Sequence, residues 1–324
     1  LSRPADREAG ADYWIRIHRR AMACRFEITL SGEDAGHAAA AREALDEADR
    51  IEAALTVFSD QSELARVNRT AAGGPVTVDD ELFGLLRTCA DLHARTAGAY
   101  DPTSTPLSRC WGFLRREARL PAPAEIEAAR ARVGMDGVAL DAARRTVRFR
   151  RPGLELNLGS IGKGYALGRL GAILGGRGVR HALVSAGGSS VLAVGGRGRG
   201  WEIDLRSRQV TGGRLARLWL RGAALGMSGA GEQFVEVAGT RYGHVLDPRT
   251  GWPAAGVLSA AVATADPALA DALSTAFLVG GTALAQGYCA SHPGTLALLV
   301  PDDRTERPQV FGSCTGAVLE IDRA

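Results

Sequence analysis

Residues 154–170 read LELNLGSIGKGYALGRL, an apolar run that breaks into glycines around a lysine and then resumes a helical pattern. The fold depends on what those glycines serve. A P-loop requires G-x-x-x-x-G-K-[ST], and here Gly164 follows Lys163, so the magnesium-binding hydroxyl is missing. A dinucleotide fingerprint comes nearer, because GKGYALG is G-x-G-x-x-x-G between a strand-like run and a helical one. The next strand-like run, HALVSAGG, offers no acidic residue for a ribose, which leaves that reading a minor alternative. Lys163 is the only lysine among 39 basic residues. A GC-rich genome explains the arginine bias but not the position of the exception. A compact ammonium on a flexible stem fits a tight glycine-lined pocket that a planar guanidinium does not, so Lys163 is a candidate functional residue.

Working outward, YWIRIHRRAMACRFEITLSG (13–32) alternates like a strand, and residues 31–58 carry the three- and four-residue apolar spacing of a long amphipathic helix. DDELFGLLRTCADLHARTAG (79–98) is a second helix, opened by acidic residues and closed by Gly98. A Pro-, Ser- and Thr-rich connection fills 100–123, and PAPAEIEAARARVG (121–134) is a short third helix. From Arg144 onward the texture is short strands with glycine turns: RTVRFR, LELNL, HALVSAGG, WEIDL, LWLRGAAL, the hairpin FVEVAGTRYGHVL and LSAAVATA. Helical patterns interrupt them after Lys163 and at PALADALSTAFLVGG (267–281). Without a regular βαβ rhythm, these elements predict an α+β fold with mixed sheets flanked by helices. At 324 residues the chain fits one large domain, 13–320, in two lobes of roughly 13–150 and 151–320, after a polar leader over 1–12.

Composition narrows the function. Hydrophobic content of 46% and charge of 23% are ordinary for a soluble globular protein. A net charge of +3 with dispersed arginines gives no electrostatic footprint for nucleic acid. The five cysteines are far apart, odd in number and lack metal spacing, so buried free thiols are expected. No run approaches the roughly 20 apolar residues of a membrane span. The first residue is Leu1 rather than Met, compatible with a removed signal or lipoprotein segment.

Two further segments carry possible chemistry. In ADALSTA, Asp271 and Thr275 lie four residues apart and share a helix face. Their oxygens suit a hard cation such as Mg²⁺, although the pair alone reads equally as two polar residues facing solvent. In YGHVLDPRTGWP (242–253), His244 ends a strand-like run before the Asp247-Pro248 turn and Gly251. A lone histidine there is more often structural.

The co-occurrence of this turn, the glycine-lysine loop and the Asp-Ala-Leu-Ser-Thr helix resembles the ApbE-like family of FAD:protein FMN transferases, from about Arg20 to about Val300. MACRFEI is similar to the family's Met-Gly-Thr block and VFSDQSELARVN to its Tyr-before-Ser-Glu block, which implies flavin contacts from Met22 and Phe58. AYDPTSTPLSRCWGF resembles the Gly-Ala-Phe-Asp and Trp-Gly-Phe pattern and points to Ala99, Tyr100 and Asp101. LNLGSIGKGYA resembles Asp-Leu-Gly-Gly-Ile-Ala-Lys-Gly-Tyr, which implies cofactor contacts from Asn157 and Lys163, with Leu246 beside the histidine turn. The resemblance implies the related ApbE-like (T-fold-related) architecture. It further implies Mg²⁺ held by the Ser160 carbonyl, Asp271 and Thr275 with Ser274 close by, and transfer of FMN from the substrate FAD to a Thr or Ser of an acceptor flavoprotein, releasing AMP. His244 is then the general base and Lys163 offsets charge. The family's usual place implies the cell envelope or periplasm.

Three carboxylates of the family pattern are missing, with Asn157, Gly168 and Ser189 in their places. Asn keeps an acceptor oxygen but loses charge. Two other functions therefore stand beside the transferase: an FAD pyrophosphatase giving FMN and AMP, and a non-catalytic FAD-binding relative.

Overall fold

The computed structural model describes residues 13–115, 117, 119–206, 213–231, 234–237, 239–302 and 307–321; the leader over 1–12 lies outside the described residues. The first part of the chain holds β1 (Trp14–Ala21), β2 (Cys24–Ser31), α1 (Ala38–Leu55), α2 (Glu63–Thr70), β3 (Val76–Thr77), α3 (Asp80–Arg95), α4 (Thr105–Cys110), α5 (Pro123–Arg130), β4 (Val138–Asp141) and β5 (Thr146–Phe149). Then follow α6 (Gly162–Gly176), β6 (Ala182–Ala186), β7 (Ser190–Val194), β8 (Trp201–Arg206), β9 (Arg214–Leu220), β10 (Ala224–Gly229), β11 (Phe234–Val237) and β12 (Thr240–Gly243). The chain closes with β13 (Val257–Thr264), α7 (Pro267–Ser291), β14 (Leu296–Pro301), β15 (Gln309–Gly312) and β16 (Ala317–Ile321).

The architecture is α+β. An eight-stranded sheet in the order β1-β2-β6-β7-β10-β13-β14-β15 forms the centre, and every pairing among the described strands is antiparallel. Both faces are covered. Phe26, Ile28, Val184 and Ala224 pack with residues of α1 and α6 on one side. Leu183, Val191 and Leu225 pack with Trp201, Ile203 and Leu218 of the β16-β9-β8 sheet on the other. Successive side chains of a strand point to opposite faces, so β6 is buried at every position and reads as a continuous apolar run. A third cluster joins Leu64, Leu82, Leu86 and Val147 to Leu273, Phe277 and Leu299. Elements of the first half thereby close over α7.

Local chemistry accounts for several boundaries. Asp79 caps α3 by accepting from the Leu82 N–H at 2.7 Å, and Asp266 caps α7 through Ala268 N–H at 2.8 Å, with Pro267 in the first turn. The alternating run 13–32 is a hairpin, not one strand: Ala21 pairs with Cys24, and Met22 and Ala23 make the turn at φ 49° and 58°. A two-residue turn of this kind needs both central residues left-handed. The amphipathic run begins with a 3₁₀ segment, Gly32–His37, before α1. LWLRGAAL spans two strands, turning at Gly222, and the connection 100–123 contains α4.

LELNL is not a ladder strand. The Asn68 side chain clamps it instead, its Nδ2 donating to Leu156 O at 2.9 Å and its Oδ1 accepting from Leu156 N–H at 2.8 Å. Helix α7 breaks at Gly281, which adopts φ 75°. By length and composition α7 could cross a membrane, a run that inspection for unbroken apolar residues passes over. Here it is largely a core helix, with Ala270, Ala272, Leu273, Ala276 and Phe277 fully buried. Cys89, Cys289 and Cys314 are buried free thiols, while Cys24 and Cys110 are only half-buried.

Two glycines set how close the helices come. A Cβ on Gly164 would stand 2.1 Å from Pro267 O, and one on Gly226 would stand 2.3 Å from Ala270 O. Backbone-to-backbone contact of α6 and β10 with the first turn of α7 therefore requires glycine at both positions.

Candidate active site

The glycine-lysine loop is shaped before it reaches the helix. Asn157 N–H donates to Pro102 O at 2.7 Å, and Asn157 Oδ1 accepts from Gly159 N–H at 2.9 Å, an Asx turn that bends the chain into α6. The turn uses only an acceptor oxygen, so Asn serves it as a carboxylate would. Lys163 lies in the first turn of α6, with Nζ 3.5 Å from both Gly159 O and Asp271 Oδ1.

Asp271 is the hub of the site. Its side chain is 4% exposed, and burial of a charge demands partners. Gly164 N–H, one of the donors a first helical turn leaves free, crosses to Asp271 Oδ2 at 3.0 Å. Ser190 Oγ donates to Asp271 Oδ1 at 3.0 Å from β7. Beside it, Ser228 of β10 lies within hydrogen-bond distance of Ser274 and Thr275, and Ser274 Oγ donates to Asp271 O.

The histidine turn is built from a third direction. Asp247 holds it internally: its carboxylate accepts from Arg249 N–H at 2.9 Å and takes both guanidinium contacts of Arg249 at 2.9 Å, pushing the arginine further up. Trp111, fully buried, donates Nε1–H to Gly251 O at 3.0 Å. Gly251 has φ 79°, and a Cβ there would meet Ile126 Cγ2 at 2.6 Å. The Trp-Gly-Phe segment thus anchors the turn, and Phe113 meets the His244 ring edge-on at 6.4 Å.

These segments enclose a cleft of about 340 Å³, within the range of small-molecule sites. Ala99, Tyr100, Asp101, Asn157, Ser160, Lys163, His244, Leu246, Asp271 and Thr275 all line it. Ser274 lies behind the lining, fully buried. Met22 and Phe58 are not in the lining. Phe58 is 80% exposed, and Met22 is at the strained hairpin turn, where it packs against the α1–α6 cluster. That hairpin is nonetheless electrostatically close: burial pushes the adjacent Cys24 thiol up while the Lys163 charge pulls it down.

Ser190, Ser228 and Thr105 have no sequence signal comparable to the glycine loop. Ser189, Ser228 and Thr105 line the cleft, and Thr105 Oγ1 is buried without a hydrogen-bond partner among the described residues. Asp101 serves as a structural knot, accepting from Thr103 N–H and Oγ1–H and from Met135 N–H, with His93 Nδ1 at 3.2 Å. That carboxylate raises the His93 pKa, and burial raises the Tyr100 phenol well above its ordinary value, with the Ser160 hydroxyl opposing it.

The donor set suits a hard cation. Among the described residues no group of three His, Cys, Asp or Glu side chains is assembled for a metal, so an ion here would draw on one carboxylate and on hydroxyl and carbonyl oxygens. Such ligands suit Mg²⁺, and the Lys163 ammonium already rests between Gly159 O and the Asp271 carboxylate, where positive charge is favoured. Of the three positions at which the sequence departs from the pattern it resembles, Asn157 and Ser189 line the cleft, whereas Gly168 faces the Pro267 ring and is not in the lining.

Comparison with known proteins finds relatives along most of the chain. The chain is 30% identical over 298 residues to the FAD:protein FMN transferase of Treponema pallidum, covering 87% of this chain and 82% of that protein. It is 28% identical over 278 residues to the protein of that name from Salmonella typhimurium, covering 83% and 79%. The crystal structure of the ApbE protein from Thermotoga maritima superposes with a TM-score of 0.82 at 28% identity, covering 93% of this chain and 97% of that one. The flavin transferase ApbE from Vibrio cholerae shares the fold, with a TM-score of 0.81 at 22% identity. The model of the ApbE family matches residues 22–300, and the chain belongs to the ApbE family.

Proposed function

We propose that the protein transfers FMN from FAD to a Thr or Ser hydroxyl of an acceptor protein, with Mg²⁺ bound in the cleft. What supports this reading is the convergence of Lys163 from α6, Asp271 and Thr275 from α7, and His244 from the turn after β12 on one cleft. The name carried by the curated relatives supports the same activity.

In this reaction the acceptor oxygen attacks the FMN phosphorus of FAD. A new P–O bond forms, the bond to the AMP oxygen breaks, and AMP leaves. Catalysis of such a step is mainly positioning and charge neutralisation. When bound, Mg²⁺ supplies Lewis-acid stabilisation of the pyrophosphate. Asp271, Thr275 and the Ser160 carbonyl would hold it. Lys163 offsets negative charge from the loop side, and His244 takes the acceptor's hydroxyl proton as general base. The polar knot around Asp101 keeps the Ala99–Tyr100 backbone in place beside them.

The test is mass spectrometry of a Thr-containing acceptor peptide after incubation with FAD and Mg²⁺. An FMN adduct together with AMP is the expected result. Free FMN and AMP without an adduct would identify a pyrophosphatase, and FAD that stays intact would identify a binding protein without turnover.

A further inference from the structure

Ser228 stands at the end of β10, two residues past Gly226 and so on the same face of the strand. The close approach at Gly226 brings that face against α7. Ser228 Oγ consequently lies 2.8 Å from Ser274 Oγ and 3.2 Å from Thr275 Oγ1. Ser274 Oγ in turn donates to the Asp271 carbonyl at 2.8 Å.

This chain of hydroxyls has a direction. A hydroxyl has one proton and two acceptor sites, and a carbonyl only accepts. Ser274 has given its proton to Asp271 O, so toward Ser228 it acts as an acceptor. Ser228 then spends its proton on Ser274 and acts as an acceptor toward Thr275. Thr275 turns its own proton to Ser228 and keeps both lone pairs for a ligand in the cleft that it lines.

We propose that Ser228 is a positioning residue that orients Thr275 as an acceptor for a hard cation, an inference that rests on the metal reading given above. The opposite polarity, with Ser228 donating to Thr275, would leave a threonine proton facing the cation. The Asp271 carbonyl at the far end prevents it. Ser228 therefore acts on the cation through Thr275 without touching it, and Ser274 supplies the acceptor that fixes the order.

The experiment titrates Mn²⁺ into the purified protein, with and without FAD, and reads free Mn²⁺ by electron paramagnetic resonance. Ser228→Ala is expected to weaken Mn²⁺ binding by about tenfold or more, the size typical of lost outer-shell partners of metal ligands. Ser228→Thr, which keeps the hydroxyl, is expected to restore it. Ser274→Ala is expected to weaken binding as well, because it frees the Ser228 proton to turn toward Thr275. Circular dichroism of each variant separates these effects from misfolding. If Ser228→Ala binds Mn²⁺ within twofold of the wild type, or if Ser228→Thr is as weak as Ser228→Ala, the proposal is overturned while the metal reading stands. A wild-type protein that holds no Mn²⁺ under either condition overturns the metal reading and the role of Ser228 together.

Discussion

Lys163 Nζ lies 3.5 Å from Asp271 Oδ1, joining the chain's only lysine to the carboxylate at the centre of the cleft. Gly164, the next residue, donates its N–H to the other oxygen of the same carboxylate. The loop therefore holds Asp271 by side chain and backbone at once. Replacing Lys163 with Met removes one charged partner from a carboxylate that is only 4% exposed. We expect a loss of about 1–3 kcal/mol in urea unfolding, limited because Ser190 and Gly164 remain. Lys163→Arg should keep most of the stability yet lose about 10²-fold in transfer rate, since the wider fork displaces its charge. A Lys163→Arg enzyme of full activity would remove the argument for lysine at this position.

His244→Ala is expected to bind FAD within about threefold of the wild type and to lose transfer by about 10²–10⁴-fold, the usual worth of a positioned general base. Equilibrium binding by flavin fluorescence and adduct formation by mass spectrometry separate the two effects. Retained transfer would take His244 out of the mechanism.

Trp111 and Gly251 test how the histidine turn is held. Trp111→Phe removes the Nε1–H bond to Gly251 O inside the core and should cost about 1–2 kcal/mol in thermal unfolding. Gly251→Ala combines a left-handed φ of 79° with a 2.6 Å clash on Ile126 and should cost about 2–4 kcal/mol. In both variants transfer should fall more than FAD affinity. Equal losses in the two would mean that the turn does not position His244.

His93 gives a pH-dependent signature. The hydrogen bond to the Asp101 carboxylate is the largest cause of its raised pKa; burial opposes it, and Asp136 adds a smaller push. Because the folded value lies above the unfolded one, this contact stabilises the protein fully below about pH 6.5. The contribution is lost as the pH rises through the raised value. The difference in unfolding midpoint between wild type and His93→Gln should therefore be largest near pH 6 and shrink toward pH 9. A difference that grows with pH would reverse the assignment.

Helix α3 was legible because its caps and its apolar spacing are local: Asp79 and Leu82 stand three residues apart, and the periodicity lies within one element. The glycine-lysine loop, the Asp271–Thr275 pair and the His244 turn were legible for the same reason, each being a short contiguous pattern. LELNL was misread because its apolar alternation satisfies a strand template, whereas its backbone partners come from the Asn68 side chain, 88 residues away. Helix α2 and strand β7 are short, at eight and five residues, so although Ser62 caps α2 locally their apolar spacing does not stand out in the sequence. Ser190 and Ser228 could not be singled out, since a serine near the end of a strand is common and only its neighbours across the sheet give it a role.

The amino-acid sequence by itself determined which short motifs exist, what chemistry their residue types permit, and that strands and helices interleave as α+β, because these depend on neighbours a few positions apart. Tertiary structure alone decided that Lys163, Asp271, Thr275 and His244 share one cleft while Phe58 stands in solvent and Met22 in a hairpin turn. It also decided that Ser228 meets Thr275. The physical reason is the backbone contact at Gly164 and Gly226, which brings α6 and β10 onto α7 at a separation that no spacing along the chain encodes.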